Sequence, residues 1–233
     1  VKFFLTGSMS GTVQQSHAIR FDGTGDYLTL ADHVDFDFGS NDFTVEGWFR
    51  WNTLTSVDLI SKASGLTTGW DFVYAHGTTS LRFYNANNNY TTGTFAPVVN
   101  RWYHIAASKT GSTLRFFVDG VQNGSNIAVT GTFNGDATTL GVGGHTANNF
   151  GRLNGWAKQV RVTNGLARYT AAFTPSETAF ADDGNTKLLI LAEEAVGATT
   201  FADSRVTPKT ITTNGDCIIQ HTPDYRNRVI IDR

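Results

Sequence analysis

Residues 154–175 read NGWAKQVRVTNGLARYTAAFTP. Within them WAKQVRVT, residues 156–163, is predicted to be a strand, because its period is two rather than the 3.6 of a helix. Asn164 and Gly165 then break it, since both residue types tolerate the backbone a tight turn demands. Residues 166–173 have room for one short helical turn, which Pro175 stops by pushing the residue before it into an extended conformation. Tyr169 and Phe173 are expected to pack across an open end of a β-sandwich, with Pro175 setting the exit. No nucleophile or acid–base pair stands in this stretch, so it reads as framework.

Working outward, the same period recurs along most of the chain. In DFTVEGWFRW, residues 42–51, Phe43, Val45, Gly47 and Phe49 alternate with Thr44, Glu46, Trp48 and Arg50, as in a strand with two unlike faces. Residues 58–62, 70–75 and 81–85 read as the next strands, the last after a turn at His76-Gly77-Thr78-Thr79. RWYHIAAS (101–108) and LRFFVD (114–119) flank a hairpin turn at Gly111, and Asp119-Gly120 opens a second turn. With 138–143, 156–163 and 187–192 these are nine of about ten to twelve strands expected in all, the number and spacing of a jelly-roll or related sandwich. At 233 residues and 40% hydrophobic content the chain is large enough for one continuous core.

Composition excludes several functions. Charged residues make up 16% of the chain and the net charge is -2, so no basic surface exists to neutralise a row of phosphates. The nearest approach, Arg226, Arg228 and Arg233, is diluted by Asp224 and Asp232, and nucleic acid is not an expected partner. Cys217 is the only cysteine. The core must therefore stabilise the fold without an intrachain disulfide, which favours a reducing compartment during folding. The opening VKFFLTGSMS has too short an apolar run for a signal-peptide core, and no segment has the composition of a membrane span.

Four segments together carry a resemblance: FDGTGDYLTL (21–30), FTVEGWFRW (43–51), RWYHIAASKTGSTLRFFVDGVQNG (101–124) and GWAKQVRVTNGLARYTAAFTPSETAF (155–180). In order and separation they resemble a concanavalin A-like, laminin-G-like domain, covering roughly residues 17–182. The ARYT..FTP ending resembles domains of bacteriophage tail, fibre and head-decoration proteins. The resemblance implies an all-β fold, a two-sheet antiparallel sandwich over residues 1–183, followed by a C-terminal segment, 184–233. Residues 186–216 resemble the opening strand and loop of a further copy of such a domain. Residues 187–192 are accordingly expected to return to the edge near residues 18–21, in the same subunit or swapped into a neighbour; the alternative is an extra strand outside a complete sandwich. Residues 207–233 would then form a docking tail.

The resemblance also implies a place for calcium, between the acidic loop after the first motif and acids on the strand before the RY segment. Asp22 and Asp26 match the first part, but Lys158 and Gln159 stand where the family commonly has two acids. Either a structural calcium ion binds, or the Lys158 ammonium takes its place and pairs with Asp22 or Asp26; Asp26 can also simply cap a turn. For glycans, aromatic rings stack on sugar faces while amides and imidazoles bond hydroxyls. The candidates are Trp70 as an exposed ring, Tyr84, Asn87, Asn88 and Tyr90 in YNANNNYTT (84–92), and His145, Asn148 and Asn149 in HTANN (145–149). The alternative for these loops is that asparagines only turn the chain.

Glucanases of this fold carry E-x-D-x-E on one strand, and the chain's glutamates, Glu46, Glu177, Glu193 and Glu194, form no such pattern. No GxSxG occurs either. The expectation is therefore a non-enzymatic phage protein on the virion surface, in capsid or tail: a decoration or attachment module that binds host-surface polysaccharide. It would contact other virion proteins or copies of itself, as a homo-oligomer. The alternatives are a cement protein without glycan binding, or a cellular or secreted laminin-G adhesin.

Overall fold

The computed structural model describes residues 17–65, 68–85, 88–145 and 151–222. Among them all regular structure except two short 3-10 turns is strand, and every strand pairing is antiparallel. One sheet runs β10 (Val121–Gln122), β9 (Thr113–Val118), β8 (Trp102–Thr110), β3 (Phe43–Trp51), β13 (Asn154–Asn164), β1 (His17–Asp22) and β16 (Ile218–His221). Two more strands join it, β11 (Ile127–Ala128) on β9 and β14 (Thr186–Ile190) on β13. The other sheet runs β15 (Ile211–Asn214), β2 (Tyr27–Leu30), β12 (Leu140–Val142), β4 (Val57–Gly65), β5 (Thr68–Ala75), β6 (Ser80–Asn85) and β7 (Asn88–Thr94). The two-sheet antiparallel sandwich is as expected. The strand count exceeds expectation because β10, β11, β12, β15 and β16 span only two to four residues each, too few for a hydrophobic alternation to register.

The inner faces of the two sheets make the core. From β3 come Phe43, Val45, Phe49 and Trp51, and from β5 Trp70, Phe72 and Tyr74, each 0% exposed. The second face of β3 is equally covered: Thr44, Glu46, Trp48 and Arg50 are buried too. Over Thr44, Glu46 and Trp48 lies the stretch 165–181, which forms no helical turn and runs as an irregular strap across the outer face of the nine-stranded sheet, whereas Arg50 is covered by Asn100 and Trp156. Tyr169 stacks on Phe173 at 3.6 Å with the ring planes 5° apart, and Phe173 meets the edges of His104 and Phe117. The two rings therefore close a sheet face, not an open end of the sandwich.

Beneath the strap Glu46 accepts bonds from Arg161 Nη2 (2.6 Å), the Tyr169 hydroxyl (2.7 Å) and His104 Nε2 (3.1 Å). Burial alone would raise the Glu46 carboxyl, but the His104 hydrogen bond and the Arg161 charge hold it below its ordinary range. Arg168 ties the strap to the strands, donating to Thr163 Oγ1, Asp183 and Thr186 Oγ1.

Gly120 admits the strap. Its φ is +78°, and an added Cβ would lie 1.9 Å from the Phe173 carbonyl oxygen. Gly120→Ala should cost about 2–4 kcal/mol through backbone strain and displacement of Phe173, measurable by chemical denaturation.

The C-terminal segment enters both sheets. Along β13, Ala157 pairs with Ile19 of β1, while Val160 pairs with Ile190 of β14. Strand β14 thus lies in line with β1 on the same side of β13. Strand β16 then pairs with the other edge of β1, and β15 adds an edge beside β2.

Candidate functional site

The outer face of the seven-stranded sheet carries a cleft of about 450 Å³ whose mainly apolar lining is set with a few polar groups. Strand β5 builds it by alternation: Trp70, Phe72 and Tyr74 point inward, so Asp71 and Val73 point out. On β4 a register shift between Asp58 and Ile60 sends both Leu59 and Ile60 into the core and leaves Asp58 and Ser61 on the outer side. Pairing then aligns two rows across neighbouring strands. One reads Asp58, Val73, Arg82, Thr91 and the other Ser61, Asp71, Tyr84, Asn89. His145 and Gly151 close the cleft from above.

Within it the Asp71 carboxyl is buried and Asp58 is half-buried. The Ser61 hydroxyl donates to Asp71 Oδ1, and His145 Nε2 stands 3.9 Å from Asp71 Oδ2. Burial pushes Asp71 up to about 7 against the Ser61 bond, with the Asp136 charge adding to the rise. Burial and the neighbouring Asp71 push Asp58 up to about 8, with Arg152 pulling the other way. His145 is lowered, by burial and then by Arg152. Arg82 is engaged in holding the wall, donating to the Tyr84 hydroxyl (2.9 Å) and Thr78 Oγ1 (2.7 Å). The approach of Gly151 is close: a Cβ there would sit 2.0 Å from Asp58 Oδ2. The cleft thus offers carboxyls near neutrality, a fixed phenol and an imidazole, groups that bond hydroxyls in either direction.

Of the expected glycan residues, Tyr84 and His145 meet in this cleft. Trp70 does not: it is 0% exposed, stacks on Phe38 at 4.8 Å and donates Nε1–H to the Phe36 carbonyl at 2.8 Å. Its parity on β5, shared with Phe72 and Tyr74, puts it in the core. Tyr90 also points inward, packing on Phe133 and donating to the Thr130 carbonyl at 3.2 Å. Asn88 is exposed and serves the β6–β7 turn, its amide donating to the Asn85 carbonyl. Asn87, Asn148 and Asn149 lie outside the described residues. Sequence reasoning missed Asp58 and Asp71. The signal for Asp71 was present in WDFVY (70–74), where one acid interrupts the exposed parity of a strand.

At another corner Asp22, Asp26 and Asp216 gather, with one carboxylate oxygen of each within 4.8 Å of the others. This cluster is able to hold a metal ion. Asp26, 0% exposed, accepts from the Asp22 and Asp216 backbone amides at 2.9 and 2.7 Å, and its carboxyl is raised by burial. The third acid comes from the turn between β15 and β16, not from β13. Lys158 does not take the ion's place: Asn154 is the residue opposite Asp22, and the Lys158 ammonium lies 5.0 Å from the centre of the Trp102 ring.

The profile of the concanavalin A-like lectin/glucanases superfamily matches residues 22–171. No curated protein sequence matches the chain. Among solved structures, a candidate carbohydrate-binding protein from Bacteroides ovatus superposes with a TM-score of 0.66 at 16% identity, over 88% of this chain and 60% of its own length. A heptameric SAP-like pentraxin from Limulus polyphemus gives 0.57 at 11% identity, covering 89% of this chain and 96% of the pentraxin. Domain 4 of an extracellular GH43 arabinanase from Geobacillus stearothermophilus, solved with arabinotriose, gives 0.50 at 18% identity, over 64% of this chain and 71% of that one. These relatives are bacterial and animal, none viral, and they overturn the expectation of a phage virion, capsid-decoration or tail-fibre protein. The physical reason lies in the strap. Tyr169 and Phe173, which prompted that expectation, cover the Glu46 side of a sheet, a packing task that belongs to the sandwich whatever particle or cell carries it.

Proposed function

The chain belongs to the concanavalin A-like lectin/glucanases superfamily, and from that premise we propose that it is a non-catalytic carbohydrate-binding module of a cellular or secreted lectin-like adhesin. The observation that carries this reading is the cleft on the seven-stranded sheet, where Asp58, Asp71, Tyr84 and His145 converge on an outer face. A sugar ring presents several hydroxyls in fixed directions, and a preformed cleft with a few convergent polar groups is what binds such a ligand. Neutral glycans are the ligand class we propose, because their hydroxyls both donate to and accept from carboxyl, phenol and imidazole groups. The carbohydrate-binding description of the Bacteroides ovatus relative agrees with this reading.

Screening the purified protein on neutral and acidic polysaccharides, with calorimetry on the hits, tests it. Tyr84→Ala and Asp71→Asn should each weaken a neutral-glycan hit by about tenfold or more, equal to about 1.4 kcal/mol, without loss of fold. Retention of full affinity in both variants would move the site elsewhere, and release of reducing ends from a bound glycan would make the module an enzyme.

The aspartate cluster we read as a calcium site. Two ligands on opposite sides of a calcium ion lie about 4.6–5.2 Å apart, so three oxygens within 4.8 Å of one another fit around one ion. When bound, the ion would neutralise acids that otherwise repel and would fasten the β15–β16 turn to the loop after β1. Calcium at about 10 mM should raise the melting temperature by a few degrees over a chelator control, and Asp216→Asn should abolish the difference.

A further inference from the structure

His17 opens β1 and His221 closes β16, and the two residues are directly opposite one another in the strand pairing. Their ring centres are 5.1 Å apart with the planes inclined at 56°. Among the described residues strand β16 is the edge of its sheet; His221 is exposed and His17 half-buried. Among the described residues neither ring makes a hydrogen bond or an ion pair.

The spacing has a chemical meaning. An imidazole nitrogen lies about 1.1 Å from its ring centre and binds zinc at about 2.0–2.1 Å, which puts the ion about 3.2 Å from each centre; a tetrahedral angle then sets the centres about 5.2 Å apart. The observed 5.1 Å meets that centre-to-centre requirement, and ligation needs in addition a nitrogen of each ring turned toward the ion. Opposed residues on antiparallel strands hold their Cβ atoms at a fixed short separation, so the pair is organised before any ion arrives.

We infer that His17 and His221 form a two-histidine site for a divalent transition cation such as Zn²⁺, Ni²⁺ or Cu²⁺, with water filling the remaining positions. Imidazole nitrogen selects these borderline cations, whereas calcium and magnesium select oxygen, so this site and the aspartate cluster take different ions. An ion here cross-links the start of β1 to the end of β16, and because it binds the folded pairing it stabilises that edge of the sheet.

The test is calorimetric titration of tag-free protein with Ni²⁺, in a non-coordinating buffer containing excess calcium to occupy the aspartates. One equivalent should bind with micromolar affinity. His17→Ala and His221→Gln should each weaken it by about tenfold or more, because the second ligand's attachment is intramolecular only while the first holds. His33→Ala should bind as the parent does. His221→Gln, at an exposed strand end, keeps the fold, which its unchanged melting temperature without metal verifies. Saturation no tighter than about 1 mM in the parent, or equal affinity in the parent and both variants, would overturn the site.

Discussion

Replacing Glu46 with alanine should lower stability by about 3–5 kcal/mol, the cost of leaving buried charges without their partner. Glu46 is 0% exposed, and Arg161, His104 and Tyr169 all bond to it. Without the carboxylate, the Arg161 guanidinium remains largely buried beneath the strap, its side chain 8% exposed. The strap then loses its footing, since the Tyr169 hydroxyl is one of the carboxylate's partners and Tyr169 stacks on Phe173. For a domain of this size the melting temperature should fall by about 10 °C or more, and limited proteolysis should cut first within residues 165–181. Tyr169→Phe removes only one hydrogen bond and should cost about 1 kcal/mol. An alanine variant as stable as the parent would mean that the buried network contributes nothing.

Stability should also fall as pH rises, by about 5–10 °C in melting temperature between pH 5.5 and 9. In the unfolded chain an aspartate releases its proton near its ordinary value of 3.8, whereas Asp58 and Asp71 in the cleft hold theirs to about 8 and 7. Between those limits the folded state binds more protons than the unfolded one, so each step up in pH favours unfolding. His145, lowered by burial and Arg152, acts in the other direction as pH falls through the ordinary histidine range. Two carboxyls against one imidazole leave the net slope downward. At the acid end Asp183, held at about 2 by Arg168 and Thr186 against burial, loses its contribution as it protonates. Thermal melts of the parent across this range, beside Asp58→Asn with Asp71→Asn, should show the slope flattened in the double variant. An unchanged slope would place the titrating groups elsewhere.

The sandwich was legible because long strands advertise themselves. Alternation along residues 42–51 and 101–108 marked β3 and β8 within one or two residues, and Gly111 and Asp119-Gly120 marked the turns around β9. What alternation cannot report is what covers a strand's polar face. Thr44 and Glu46 have the pattern of a solvent face yet lie buried, since the strap that covers them has no period. The cleft was half visible for a related reason: Tyr84 and His145 stood out by residue type, but Asp58 and Asp71 become a pair only through the β4–β5 register and the shift between Asp58 and Ile60. Asp216 was out of reach altogether, because a two-sided turn between four-residue strands brings it to Asp26 across 190 residues of sequence.

That long return also sets the order of events during synthesis. Strand β1 precedes every other described strand, yet its two neighbours are β13 and β16, and β2 lies between β12 and β15. Both early strands must leave the ribosome with open hydrogen-bonding edges and wait for most of the polypeptide to follow. A topology so dominated by distant pairings folds slowly. While it waits, the chain exposes the kind of unpaired edge on which nascent proteins aggregate, so an early demand for chaperone protection is written into the position of β16.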